Sequence, residues 1–423
     1  MAPQPALSLL LGSSYSLQLP NVKIPVIGDT WLIGILFLSH IVIASFSMGV
    51  VVLTPTYELV GKLRHDARFE RYAYSVAHAN IKLFGLGATL GAFAVFALTG
   101  LYPHFFISLL TLFFWPVLIA FATWFVTIPA LLVYTYRWNE ISVRAKWAHV
   151  ALGYLGGASE QTFLFFIVGL DSYMLTPGQG FGRGAFFNPS YWPELLHRFV
   201  GNMVWASFFI AAVMIAYGAL RTDPADRAYH RWGSRASIVV GLLLLIPQVI
   251  LGFLFAESIK AASPGAFEFS FTGPMAWMWL LQEFLLGFVL LGTNVFFWQS
   301  RHQRSLLGGG LTVTVGILSA LTVVPESVYP SRLFWVRYVF LAAALLLTLV
   351  HLALWRPWHR APRPELNRGG RWLVGSAGVV AVMLFLLMGV IRTTARGDYT
   401  VYGHLKQPAS QGIFQAPNGQ YYP

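Results

Sequence analysis

Three ionisable residues lie inside long apolar runs at similar depth. His40 stands about nine residues into the first run. His197 opens the fifth, in the stretch Pro193-Glu194-Leu195-Leu196-His197-Arg198-Phe199, and Glu283 stands about eight residues into the seventh. An ionisable side chain in a membrane span is costly, so it marks a candidate site. Imidazole nitrogen is the usual axial ligand of a b-type haem, and two histidines on different helices at one depth suit one haem or two. The plain alternative is a histidine that only hydrogen-bonds a neighbouring helix. His78, His149 and His351 fall near the opposite ends of their runs, where polarity is cheap. Glu160 and Gln161, inside the fourth run, either form a polar relay or bridge helices. The glycine-rich stretch Lys82-Leu83-Phe84-Gly85-Leu86-Gly87-Ala88-Thr89-Leu90-Gly91 lets a flat ligand or another helix approach the backbone.

These residues need a membrane scaffold. The chain has 423 residues, of which 57% are hydrophobic and only 10% charged, with a mean hydropathy of +0.63. A soluble domain of this size carries about a quarter charged residues. The composition therefore excludes a soluble enzyme, a nucleic-acid-binding domain and a disordered tail, and the net charge of +12 implies no nucleic-acid partner. With no cysteine, disulfides, cysteine-held iron–sulfur clusters and covalent c-type haem are excluded, so a metal would fall to His, Met or carboxylate. There is no Walker A loop, no His-Glu-x-x-His and no triad-like arrangement, which disfavours ATP use and hydrolysis.

Apolar runs predict an all-α, polytopic transmembrane bundle of about ten spans, near 31–54, 82–101, 107–135, 149–170, 197–219, 237–256, 275–298, 309–324, 335–355 and 372–391. Cations test that count. Most of the 28 Lys and Arg fall after the odd-numbered spans, among them Lys62, Arg64, Arg68, Arg137, Arg144, Arg221, Arg227, Arg301, Arg356 and Arg371. The basic connections are expected in the cytoplasm and both termini outside. Residues 1–30 read as an outer interfacial segment without the charged start of a signal peptide, 31–391 as one bundle, and 392–423 as an outward tail. The outer connections 171–196 and 257–274 are rich in Gly, Pro and aromatics and read as interfacial loops that could cover a site.

The pattern resembles subunit I of the cytochrome bd quinol oxidase family, most clearly over spans one to seven. The residues that carry the resemblance are Ser39-His40 running to Met48-Gly49, Lys82-Leu83-Phe84-Gly85, Asp171-Ser172-Tyr173-Met174-Leu175-Thr176-Pro177, and His197 followed by Gly201. The resemblance implies haem b, one or more, near the outer face. It would give His40 the oxygen-site haem and His197 the low-spin haem. It also implies quinol as substrate, a second integral-membrane subunit, and a place in the inner (cell) membrane of a bacterium or archaeon, surrounded by lipid.

Departures from the family pattern shape the functional expectation. Glu283 stands where the family has a methionine ligand to the low-spin haem. The family's paired glutamates on span three have no counterpart from Ile119 through Thr127. The segment Thr393 to Tyr399 lacks the glutamate that holds the family's third haem, leaving Glu326 as a loose substitute. The loop 257–274 is short and a tenth span is present. A haem-b electron-transfer subunit working between membrane quinol and a partner redox centre fits best. A divergent terminal quinol:oxygen oxidase comes second, and a haem-free structural or transport subunit third. The tail and outer loops suggest an extracytoplasmic redox subunit as a further partner.

Overall fold

The computed structural model describes residues 28–177, 182–273, 275–301, 305–323, 336–355 and 364–395. The N-terminal segment to residue 27, Glu326, and the tail from 396 lie outside the described residues.

Helices occupy all ten expected positions: α1 Asp29–Arg64, α2 Ala67–Leu101, α3 Pro103–Tyr136, the short α4 Trp138–Arg144, α5 Lys146–Tyr173, the single turn α6 Arg183–Phe186, α7 Tyr191–Leu220, α8 Pro224–Ala262, α9 Pro264–Phe267, α10 Ala276–Gln299, α11 Leu306–Thr322, α12 Val336–Trp355 and α13 Arg368–Ala395. A π-helical turn, Glu268–Thr272, joins α9 to the approach of α10. Eight of these helices are long and apolar enough by themselves to cross a membrane, so the chain is a multi-pass membrane protein. The helices at the remaining two expected spans are α5, whose apolar run is broken by Glu160, Gln161 and Asp171, and α11, which has 17 residues.

Local sequence sets the turns. Asp66 caps α2 through the Arg68 amide, and His65 ends α1 in a left-handed conformation (φ 52°) that closes a tight hairpin. Asp223 caps α8 through the Asp226 amide with Pro224 at its first position. Phe113 breaks the helical dihedrals of α3 (φ −124°, ψ 29°) just before Pro116, whose ring cannot tolerate the carbonyl four residues back.

Several helices exceed the ~20 residues that span hydrocarbon. α1 has 36 and α8 has 39, and they project past the apolar zone at the end that carries the basic connections. That end is called the basic end below, and the other the far end.

Packing follows small residues. α1 lies against α2, α5 and α7; α3 against α5; α7 against α8 and α13; and α10 against α11 and α13. Gly49 of α1 abuts the Asn202 carbonyl of α7, and Gly157 of α5 faces the Val51 carbonyl of α1. Gly378 of α13 meets Ala212 of α7. Lipid removes the hydrophobic driving force between helices, so close backbone packing of this kind helps to hold them together.

Candidate functional site

At the far end, α1 and α2 position His40. Its Nδ1 lies 2.8 Å from the Gly87 carbonyl, which requires that nitrogen to carry the proton and leaves Nε2 with a free lone pair. The Nδ1–Cε1–Nε2 edge of the ring lies against α2 at Gly91. A Cβ added to Gly91 would come 2.7 Å from His40 Cε1, and one added to Gly87 would come 3.0 Å from the Ile43 side chain. Within the glycine-rich stretch, Gly91 makes room for the imidazole, while Gly87 supplies its carbonyl partner and makes room for Ile43. An imidazole fixed by a backbone carbonyl, with its other nitrogen unused, is the arrangement a metal-ligating histidine adopts.

α7 and α8 position His197. The Gln248 amide nitrogen stands 3.1 Å from each ring nitrogen, so neither nitrogen has it to itself. Gln248 Oε1 is buried without a hydrogen-bond partner. Gly252 lets the ring approach α8, since a Cβ there would lie 3.1 Å from His197 Cε1, and Phe255 stands 5.9 Å away, centroid to centroid.

Glu283 of α10 is buried against Arg337 of α12, Oε2 to Nη1 3.7 Å. That distance neutralises charge without a hydrogen bond, and Glu283 Oε2 has no hydrogen-bond partner. Arg337 is among the largest fully buried side chains. Phe253 of α8 packs on Tyr338 of α12, ring centroids 5.6 Å apart. The same turn of α8 that cradles His197 thus reaches the neighbourhood of Glu283. His40 of α1 lies elsewhere at this end, against α2, so the two histidines sit against different helices.

A charge cluster beside these residues was not foreseen. Asp171 at the end of α5 pairs with Arg198 of α7 and, at 2.6 Å, with Arg392 of α13. Arg392 also reaches Glu194 at 3.1 Å, and Glu194 is fully buried. Two carboxylates and two guanidiniums balance, which is the condition for keeping charge in an apolar setting. The loop beyond α5 is closed by Thr176, Asn188 and Ser190, with Thr176 Oγ1 2.6 Å from Ser190 Oγ, under the aromatic cluster Phe165, Phe186, Phe187, Tyr191 and Trp192.

At the basic end His149, expected to be cheap in polarity, is instead wholly enclosed. Its Nδ1 meets Glu58 Oε1 at 2.7 Å and its Nε2 meets the Tyr134 carbonyl at 2.9 Å. His351 gives Nδ1 to Asn294 at 2.9 Å, while its buried Nε2 has no hydrogen-bond partner. His78 bonds only the carbonyl one turn back, that of Tyr74. No group of three or more His, Cys, Asp or Glu among the described residues has the arrangement of a metal site built from side chains alone. An iron held here would arrive inside a porphyrin. The half-used imidazole of His40, seated against Gly91, fits that group, and so does the His197 ring, whose two nitrogens share one amide.

Comparison with known proteins accords with this arrangement. The family model described as cytochrome bd terminal oxidase subunit I matches residues 30–418. The structure of bd oxidase from Geobacillus thermodenitrificans is similar to this chain with a TM-score of 0.54 at 14% identity, over 87% of this chain and 97% of that one. At that identity the likeness speaks for the fold. No curated protein matches the chain.

Proposed function

The chain belongs to the cytochrome bd terminal oxidase subunit I family, and on that premise we propose that it is a membrane haem-b electron-transfer subunit of a respiratory complex, working between membrane quinol and a partner redox centre. The observation that carries this reading is His40: one ring nitrogen committed to the Gly87 carbonyl, the other without a hydrogen-bond partner, in a ring that only a glycine at position 91 admits. His197 would hold a second haem position. Glu283, with an uncommitted carboxylate oxygen and Arg337 balancing its charge, would be the carboxylate ligand there. Haem b, when bound, supplies one-electron transfer. The chain's own residues orient the imidazoles, keep water away by burial, and balance charge through Asp171, Glu194, Arg198 and Arg392.

The basic end is assigned to the cytoplasm and the far end, with both termini, to the outside. That orientation puts the candidate haem positions near the outer leaflet of a bacterial or archaeal cell membrane. A second integral-membrane subunit is the expected partner within the bilayer, and an extracytoplasmic redox subunit the expected partner at the far end.

One observation favours a second reading, a divergent terminal quinol:oxygen oxidase. Oxygen reduction needs protons, and although α3 has no carboxylate between Ile119 and Thr127, the adjacent α5 buries Glu160.

A reduced-minus-oxidised visible spectrum of the purified complex tests the first step, with a b-type signal expected. A colourless preparation with intact protein would end both readings. Oxygen uptake with a reduced quinol then separates them: little uptake is expected, and rapid uptake blocked by haem ligands would favour the oxidase.

A further inference from the structure

The contact between α7 and α8 at His197 is reciprocal. On α7, His197 and Gly201 stand one turn apart, and on α8 Gln248 and Gly252 do the same, so each pair shares a face of its helix. Gly252 makes room for the imidazole, since a Cβ there would come 3.1 Å from His197 Cε1. Gly201 makes room for the carboxamide, since a Cβ there would come 2.7 Å from Gln248 Nε2 and 3.4 Å from Gln248 Oε1. Each helix thus gives up a side chain to admit the polar one of the other. Gln248 lies within the apolar run of α8, flanked by Pro247 and Val249. An amide there is costly unless both its ends are used, and an apolar side chain would serve packing better.

One end of that amide is unused. A nitrogen 3.1 Å from both ring nitrogens cannot lie in the plane of the ring, where it would overlap Cε1, so Gln248 Nε2 stands over the ring face. In that place it occupies neither in-plane nitrogen position. Gln248 Oε1 is buried without a hydrogen-bond partner. Other histidines of the bundle find a carbonyl: His40 uses that of Gly87, and His78 and His230 use those of Tyr74 and Asp226, one turn back. Among the described residues, the hydrogen-bond contacts of the His197 ring are with Gln248 alone. A neutral imidazole carries one N–H, and when the other nitrogen binds a metal that N–H is given to a carbonyl, a carboxylate or water. The unpaired acceptor beside His197 is Gln248 Oε1. A half-turn of the carboxamide exchanges its nitrogen for its oxygen, and a tilt toward the ring edge completes the bond.

We propose that Gln248 is the positioning residue of the His197 imidazole: its carboxamide oxygen accepts the ring N–H and so fixes which nitrogen is left to bind iron. This rests on the function proposed above, which makes His197 a haem ligand. An acceptor on that N–H raises the basicity of the imidazole, and a more basic ligand favours the ferric over the ferrous state. The amide nitrogen has no part in this, so a side chain that keeps only the oxygen keeps the effect.

Redox titration of the intact complex in lipid tests the assignment, followed on the b-type component that His197→Ala removes. In Gln248→Leu the ratio of ferric to ferrous haem at a fixed potential should fall about tenfold, a rise of ~59 mV in midpoint for one electron. Gln248→Glu places an oxygen at the same reach and should return the midpoint to the natural value or below it. If Gln248→Leu does not fold, Gln248→Met, unbranched and equally long, replaces it. A midpoint unmoved by the apolar variant, or moved by it and not returned by Gln248→Glu, overturns the positioning role and leaves the haem at His197. A b-type spectrum left whole by His197→Ala, or a colourless sample, removes that haem position from the proposed function and the role of Gln248 with it.

Discussion

α1 carries a histidine partner at each end, and the two differ in one respect. His149, drawn to Glu58 at the basic end, spends both ring nitrogens on the protein and stacks on Tyr134, ring centroids 4.5 Å apart. His40, at the far end, spends one and is only partly buried. A histidine with both nitrogens satisfied holds helices together and has nothing left to offer a ligand. A histidine with one nitrogen fixed and one free is oriented but uncommitted. His351 lies between these cases, since its second nitrogen is unpaired but belongs to a fully buried ring, whereas the His40 ring is partly exposed. Occupied valence together with burial separates structural imidazoles from the candidate ligand in this bundle.

The contrast breaks most easily at Glu58. Glu58→Ala strips one acceptor from Tyr134, His149 and Lys62 together and leaves a buried ammonium with Glu70 as its carboxylate partner beside Ser142. Loss of one partner of a buried ion pair costs about 3–5 kcal/mol. Thermal or denaturant unfolding in detergent should show a loss of that order. A change under ~1 kcal/mol would mean that the network carries no such weight. His149→Phe keeps the ring volume and its stacking but leaves Glu58 Oε1 with Lys62 alone and takes the side-chain partner from the Tyr134 carbonyl, for about 1–3 kcal/mol. The visible spectrum should be unchanged in both variants, because neither residue belongs to the haem set.

Much of the scaffold could be read in the chain, because apolar run length is a direct record of bilayer thickness. Every expected span has its helix, including α5, whose interrupting Glu160 and Gln161 lower its apolarity. The extension of α8 back to Pro224 could not be read that way. Arg227, Arg231 and Arg235 break the hydropathy signal, while Asp223 caps the helix and Tyr229 and His230 bury against neighbours. The positions of His40, His197 and Glu283 were visible as ionisable residues in apolar runs. Their surroundings were not, since Gln248, Arg337 and Gly87 reach them from other helices. Arg392 and Asp171 stand 221 positions apart, and nothing in the sequence pairs them. One signal went unused: Arg198 and Arg337 at or inside spans each required a carboxylate nearby, and Glu194 and Glu283 were the available ones.

The smallest expected loss of stability falls at His40, and there the comparison sharpens. His40→Ala removes one imidazole-to-carbonyl hydrogen bond at a partly exposed position, worth about 0.5–1.5 kcal/mol. The Gly87 carbonyl keeps its place in the helix ladder of α2, so no buried group is left wholly unpaired. Folding should hardly register the change, while the reduced-minus-oxidised spectrum should lose one b-type component. His197→Ala should remove a different one, because the two rings sit in separate cradles on α2 and α8. The opposite pattern, a large loss of stability with the spectrum intact, would place His40 with His149 among the imidazoles that only join helices. The free nitrogen at the far end would then be an accident of packing, and the haem would have to be sought at another residue.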